Sequence, residues 1–155
     1  MDWFNLYGLI IIAVIMIPNI IFGIKNKEGF ENKYNNKIVE TFEQIGRFSC
    51  FFLMIFNIPF LTIGYWFNNA ETIYIIVNVI LTTIYCIGWI IFWNKNNVFK
   101  SLILSITPSL IFILSGIITL NIPLMLFSLI FAICHIRISY KNTIMQKMNY
   151  RLYEY

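Results

Sequence analysis

The stretch that decides the fold runs from 101 to 138 and reads SLILSITPSLIFILSGIITLNIPLMLFSLIFAICHIRI. It contains no ionisable side chain apart from its cysteine until His135. As one helix it would be about 57 Å long at 1.5 Å per residue. A bilayer core is about 30 Å thick, so one membrane helix is far too long and two just fit. The turn is predicted at LNIP, 120–123, because Pro cannot continue one helix but suits the first turn of the next. A kinked re-entrant hairpin is the alternative.

The composition is typical of a membrane protein. Hydrophobic residues make up 59% of the chain and charged residues only 12%, about half the charge of an ordinary soluble domain. The sequence therefore predicts an all-α fold, a single membrane domain in which five transmembrane helices form a bundle, at about 3–24, 47–67, 72–93, 101–119 and 122–138. A cytoplasmic amphipathic link at 25–46 and a cytoplasmic tail at 139–155 complete the chain. The first run follows Asp2 and is interpreted as a retained helix, not a cleaved signal.

The distribution of charge predicts the orientation. With five helices, every Lys and Arg falls on one side of the membrane, whereas the other side carries only Asp2 and Glu71. Since basic loops stay in the cytoplasm, we expect a multi-pass protein of the cell membrane with its amino terminus outside and its carboxyl terminus inside. The expected partners are the lipid bilayer and anionic lipid headgroups at the cytoplasmic face. The basic residues are Lys25, Lys27, Lys33, Lys37, Arg47, Lys95, Lys100, Arg137, Lys141, Lys147 and Arg151.

The polar segment KIVETFEQIGR, 37–47, has the periodicity of an amphipathic helix. Its apolar residues recur at helical spacing, and Glu40, Glu43 and Arg47 share the other face. Glu43 and Arg47 lie four residues apart in the favourable acid-first order. The segment is either a separate interfacial helix or an extension of the second span. A sharper hypothesis is that its carboxylates face a cytoplasmic cavity.

His135 is the only histidine of the chain and is predicted near the inner end of the last helix. An ionisable residue inside a span suggests a function. Its closeness to the interface favours the plainer interpretation, a histidine whose hydrogen bonds are satisfied there. The alternative is acid–base chemistry or a proton relay with Glu40 or Glu43. The weak candidates for a catalytic role are His135, Glu40, Glu43, Arg47 and Arg137.

No metal site and no cofactor are predicted. Cys50, Cys86 and Cys134 are far apart in the sequence, and no ligand spacing supports a soft-metal site that combines them with His135. The chain also has no Walker A loop, HExxH or GxSxG motif. Nucleic acid is not an expected partner, because the basic residues are dispersed along the predicted membrane borders.

Three asparagines, Asn19, Asn57 and Asn78, are predicted to be polar residues inside the membrane. The last two are expected at similar depth in neighbouring helices, where a hydrogen bond between them would be worth about 0.6–2 kcal/mol. Structural contact is the preferred interpretation, and a polar path for a substrate is the alternative. Prolines at 18, 59 and 108 are expected to bend three of the helices.

The stretches IPNIIFGIKNKEGFENK at 17–33 and EQIGRF at 43–48, together with His135, Tyr140 and Asn142, carry a family resemblance. They are similar to an uncharacterised family of small multi-pass integral membrane proteins from low-GC Gram-positive bacteria. The resemblance covers most of the chain. It implies a bacterial polytopic membrane protein and brings no activity, cofactor or site residue.

The leading functional hypothesis is a non-enzymatic accessory, immunity or regulatory membrane subunit, acting as a homo-oligomer or with a partner membrane protein. One alternative is a small transporter or channel component that uses the three asparagines. The other is a membrane enzyme that acts on lipid at the cytoplasmic face through His135 and Glu40 or Glu43. A separation of no more than about 4 Å between the imidazole and a carboxylate would favour the enzyme.

Overall fold

The computed structural model describes residues 3–25, 33–94 and 97–153, with side chains as far as residue 148. Over these residues the fold is all-α, with two isolated β-bridges, Phe4 with Phe56 and Thr62 with Asn121. The charges expected at Asp2, Lys27 and Lys95 lie outside the described residues, as does the side chain of Arg151. The helices are α1 Leu6–Lys25, α2 Lys37–Ile55, α3 Ala70–Ile91, α4 Val98–Ile118 and α5 Ile122–Tyr153.

Four of the helices, α1, α3, α4 and α5, are long and apolar enough to cross a membrane. The outward faces of α1 and α3 consist largely of exposed isoleucines. Soluble proteins seldom expose contiguous apolar surfaces of this extent, whereas a bilayer covers them. These helices therefore suit a membrane protein. The exposed isoleucines include Ile10, Ile17, Ile20, Ile21, Ile24, Ile73, Ile76, Ile80, Ile84, Ile87, Ile90 and Ile91.

The predicted turn inside the stretch 101–138 is confirmed. Helix α4 ends at Ile118 and α5 begins at Ile122. Leu120 takes a left-handed conformation, φ 43°, which reverses the chain within three residues. The Oδ1 atom of Asn121 accepts the backbone N–H of Leu124 at 3.0 Å and so caps the start of α5. The deciding stretch is therefore two helices, as its length required.

The predicted bounds of the second helix, 47–67, are wrong, because α2 starts ten residues earlier and ends before 56. Asn36 caps its start, with Oδ1 accepting the N–H of Val39 at 3.2 Å. At its other end, Pro59 has no N–H for the carbonyl of Ile55 and disfavours helical backbone in the preceding residue. The N–H of Asn5 donates to that carbonyl instead, at 2.7 Å. The segment 37–46 is thus continuous with the helix that follows it.

The tail predicted at 139–155 is also different, since α5 continues to Tyr153. The sequence after Ile138 contains neither Pro nor Gly, so nothing local ends the helix. Thr143 and Gln146 are buried, which gives this part of α5 a packed face. Asn142 accepts the backbone N–H of Lys33 at 2.7 Å through Oδ1 and holds the segment before α2 against α5.

Consecutive helices run in opposite directions, so the chain ends of neighbouring elements meet at two ends of the bundle. At the first, here called the basic end, α1 and α3 finish and α2 and α4 begin. At the opposite end, here called the far end, residues 56–69 join α2 to α3 and contact the turn between α4 and α5. Gly64 there donates its N–H to the carbonyl of Thr119 at 2.9 Å.

Two glycines allow helices to approach closely. A Cβ atom on Gly8 of α1 would lie 2.0 Å from the carbonyl oxygen of Met54, so α1 touches α2 directly near the far end. A Cβ atom on Gly46 of α2 would lie 3.0 Å from the backbone of Phe131 in α5. Toward the basic end, residues of α1 and of α2 face a shared cavity.

Candidate functional site

The cavity at the basic end has a volume of about 1630 Å³, and all five helices contribute to its wall. Its floor, toward the middle of the bundle, is apolar and includes Phe51, Phe112 and Phe131. The rest of its wall combines apolar residues with polar and charged ones. The polar and charged residues that line it include Asn19, Lys25, Lys37, Glu40, Glu43, Gln44, Arg47, Tyr85, Lys100, Ser105, His135, Asn142 and Gln146.

Glu43, Arg47 and His135 meet on this wall and are here called the carboxylate cluster. Glu43 is only 2% exposed. Its Oε1 atom accepts from Nε of Arg47 at 3.1 Å, accepts from Nη2 of the same guanidinium, and lies 2.9 Å from Nδ1 of His135. Because an ionised carboxylate can only accept, Nδ1 carries the hydrogen of this bond. The short distance that was considered between the imidazole and a carboxylate is therefore present, and the carboxylate is that of Glu43.

The other two catalytic candidates are Glu40 and Arg137. Glu40 lines the same cavity, about one turn before Glu43 on α2. Arg137 is exposed and does not line the cavity. The structure thus brings three of the five predicted residues into direct contact.

Close packing between α2 and α5 positions the cluster. The two helices run antiparallel, and Gly46 contacts the backbone of Phe131. About one turn toward the basic end, Glu43 is therefore opposite His135. The imidazole also stacks on the ring of Phe131, with centroids 4.6 Å apart and planes 18° apart. These contacts hold the ring with Nδ1 toward Glu43.

The electrostatics of the cluster favour an ionised carboxylate. Glu43 belongs to the polar first half of α2, before its apolar segment. A buried carboxylate is tolerated when it is paired, and Arg47 and His135 both lie at hydrogen-bond distance from Glu43. Glu43 can therefore act as an anion that orients the imidazole.

Lys100 is a further cationic group of the cavity wall and is partly buried, whereas Lys25 and Lys37 line the cavity with exposed side chains. The Nζ atom of Lys100 lies 4.6 Å from the ring centroid of Phe22 and 5.4 Å from that of Trp89. It donates one hydrogen bond, to the carbonyl of Trp93, at 3.3 Å. Among the residues that the structure describes, no carboxylate forms an ion pair with it. The sequence identifies Lys100 only as a charge, because its aromatic neighbours come from two other helices.

The three asparagines have different environments. Asn19 lines the cavity and donates to the hydroxyl of Tyr85 at 2.7 Å. Asn78 is fully buried, donates to the carbonyl of Tyr74 at 2.9 Å and accepts from Ser115 at 3.2 Å.

Asn57 follows the end of α2 at the far end, where its N–H donates to the carbonyl of Trp3 at 2.9 Å. Asn57 therefore lies beyond the helix that was expected to carry it, and its predicted bond with Asn78 stays a prediction. Pro59, for the same reason, is not inside a helix, whereas Pro18 and Pro108 are.

The cysteines contribute no cluster to this site. Cys50 is buried, and Cys86 and Cys134 are partly exposed on different helices. Within the described ranges, no three His, Cys, Asp or Glu side chains come together in a way that would hold a metal ion.

No protein-family model, curated protein or solved structure matches the chain. The resemblance to small multi-pass proteins of low-GC Gram-positive bacteria therefore stays a prediction. The fold and the cavity define a class, an all-α protein with four membrane-suited helices and a charged cavity at one end. The function has to be argued from the chemistry of that cavity.

Proposed function

We propose that all five helices cross the cell membrane, with the amino terminus outside and the carboxyl terminus in the cytoplasm. Helix α2 supports this proposal because it reaches both ends of the bundle, contacting Asn5 at one end and His135 near the other. Its charged residues Glu43 and Arg47 line the cavity rather than the outer surface. The described Lys and Arg residues also gather toward the basic end, as cytoplasmic residues do.

We further propose that the protein is a membrane enzyme that acts on a lipid-like substrate at the cytoplasmic face. The observation that carries this proposal is the contact between Glu43 and His135 on the wall of the large cavity. A carboxylate that accepts from Nδ1 fixes the tautomer of a neutral imidazole and leaves Nε2 as a proton acceptor. His135 is then the general base, and Glu43 orients it and stabilises the imidazolium that forms.

The size and lining of the cavity support an amphiphilic substrate. A volume of about 1630 Å³ exceeds the roughly 300–1,000 Å³ of ordinary small-molecule sites. The combination of an aromatic floor with charged walls matches a molecule that has an apolar part and a polar part. The transporter hypothesis has less support, because Asn19 alone of the three asparagines lines the cavity, and Asn78 is buried among helices.

The accessory-subunit hypothesis makes a different claim about the same residues. In that hypothesis the carboxylate cluster only ties α2 to α5, and the protein acts through a partner. His135→Asn separates the two claims, because the Asn amide keeps a donor for Glu43 but has no counterpart of Nε2.

The test measures lipids by mass spectrometry in membranes of cells that express each variant. Wild-type protein and the control Arg137→Gln, whose side chain lies outside the cavity, should change the amount of the same lipid species. His135→Asn should reduce the rate of that change at least about a hundredfold, the usual contribution of a general base. A folded His135→Asn variant with the wild-type rate, or a wild-type protein that changes no lipid, would refute the enzyme.

A further inference from the structure

The positive charges of Arg47 and Lys100, which both face the cavity, are not balanced in the same way. The positive charge of Arg47 is matched by Glu43 at hydrogen-bond distance. Lys100 has no such partner among the described residues, although its Nζ atom lies against two aromatic rings. An ammonium group has three donors, and the structure occupies one of them, with the carbonyl of Trp93. Lys100 thus has a positive charge and hydrogen-bond donors with which it can bind an anion.

The cavity is deep as well as wide. Lys100 and Phe112 both line it and are twelve residues apart on α4, which corresponds to a depth of about 18 Å. The rings of Phe51 and Phe131 meet Phe112 at the floor, with centroids 5.9 and 5.3 Å away. His135 is about one turn from Phe131, and so lies between the floor and the level of Lys100.

We propose, building on the proposed function, that the substrate is a phosphate-bearing amphiphile whose phosphate binds Lys100. Lysine is a common phosphate ligand, acting as a point charge on the phosphate oxygens. With the phosphate at Lys100, the apolar part extends inward past the carboxylate cluster to the three phenylalanines of the floor. The group that meets His135 is then on the apolar side of the phosphate.

The inference is tested by native mass spectrometry of the purified full chain released from an uncharged detergent. The probes are phosphatidic acid, diacylglycerol with the same acyl chains, and soluble glycerol phosphate. Wild-type protein should bind phosphatidic acid about tenfold or more tightly than diacylglycerol, the effect of one charge-assisted hydrogen bond. Lys100→Met should lose this preference, because Met keeps an apolar stem against Phe22 and Trp89 but has no charge.

Two further variants serve as controls. Lys141→Met removes an exposed charge that does not line the cavity and should bind like wild type. Lys100→Arg keeps the charge and should restore most of the preference, which excludes misfolding as the cause of the loss. If Lys100→Met and Lys141→Met prefer phosphatidic acid over diacylglycerol to the same extent, Lys100 is not the phosphate site. If glycerol phosphate binds as tightly as phosphatidic acid, the ligand of Lys100 is a soluble phosphate and not a lipid.

The binding assay is independent of the reaction. If wild-type protein does not prefer phosphatidic acid to diacylglycerol but still changes lipids in cells, the phosphate site is wrong and the proposed enzyme is retained. If binding is retained and no lipid changes, the enzyme is wrong and the phosphate site stands.

Discussion

A single oxygen atom, Oε1 of Glu43, joins α2 to α5. It accepts from Arg47 on its own helix and from His135 on the other. A carboxylate this deeply buried would be costly alone, and its two cationic or polar partners offset that cost. The same contacts keep the group ionised, so its protonation should weaken the contact between the helices.

The substitution Glu43→Gln tests how much this contact stabilises the fold. The Gln side chain keeps an oxygen that can accept hydrogen bonds but carries no charge for Arg47. We expect Glu43→Gln to lower the free energy of unfolding by about 1–3 kcal/mol, measured as a lower unfolding midpoint in detergent micelles.

The control for this prediction is Glu71→Gln, which removes an exposed carboxyl at the far end of the bundle. It should keep the unfolding midpoint of the wild type. Equal midpoints for Glu43→Gln and wild type would contradict a stabilising role for the carboxylate cluster.

At the scale of the element, the distance between α2 and α5 is set by a glycine. Gly46→Ala would bring Cβ to 3.0 Å from the backbone of Phe131, so the helices must separate by a few tenths of an ångström. We expect it to destabilise the protein by about 1–3 kcal/mol, partly offset by the better helix propensity of Ala. Gly23→Ala is the matched control, since its Cβ would meet nothing within 4 Å. That variant should be neutral or more stable by up to about 1 kcal/mol.

Thermal unfolding of both variants in the same detergent measures this difference. Equal midpoints for Gly46→Ala and Gly23→Ala would show that α2 and α5 are not in close contact at that level. A loss of activity in Gly46→Ala alone would agree with its position one turn from Glu43, because a shift there also moves the carboxylate away from His135.

The sequence was sufficient to predict the ends of a helix where those ends depend only on neighbouring residues. The turn at 120–123 follows from the length of an apolar run and from one proline, and the structure has it there. The limits of α2 depend on a contact between distant residues, since Asn5 satisfies the carbonyl that Pro59 leaves free. Hydropathy could not reveal that contact, and it favoured the apolar residues 56–67 over the charged residues 37–46 as the helix.

The candidate site was predictable to a similar extent. Helical periodicity identified Glu43 and Arg47, and the rarity of ionisable residues in a span identified His135. Lys100 was missed because its environment combines Phe22 of α1 with Trp89 of α3, a combination that no spacing in the sequence records. Ionisable residues that stand out in an apolar chain were found, and the pairing of His135 with a glutamate was anticipated across 92 residues. The aromatic contacts of Lys100 were not anticipated, because they depend on packing alone.

For the whole molecule, the main question is whether α2 crosses the bilayer. It carries four charged residues, Lys37, Glu40, Glu43 and Arg47, and so lacks the composition of the four apolar helices. Its second half, however, exposes the rings of Phe48 and Phe52, which lipid would cover. The helix is about 28 Å long, close to the thickness of the hydrocarbon core. We therefore expect five crossings.

Single cysteines at three exposed positions decide between five crossings and four. The parent chain has Cys50, Cys86 and Cys134 replaced by Ala, and the variants are Asn35→Cys, Asn68→Cys and Asn94→Cys. With five crossings and the proposed orientation, a membrane-impermeant maleimide added to intact cells should label only Asn68→Cys, and all three variants should react after lysis. If α2 stays outside the bilayer, positions 35 and 68 lie on one side and position 94 on the other. Labelling of 35 and 94 without 68 would keep five crossings but reverse the orientation, which would place the cavity and its carboxylate cluster at the outer face.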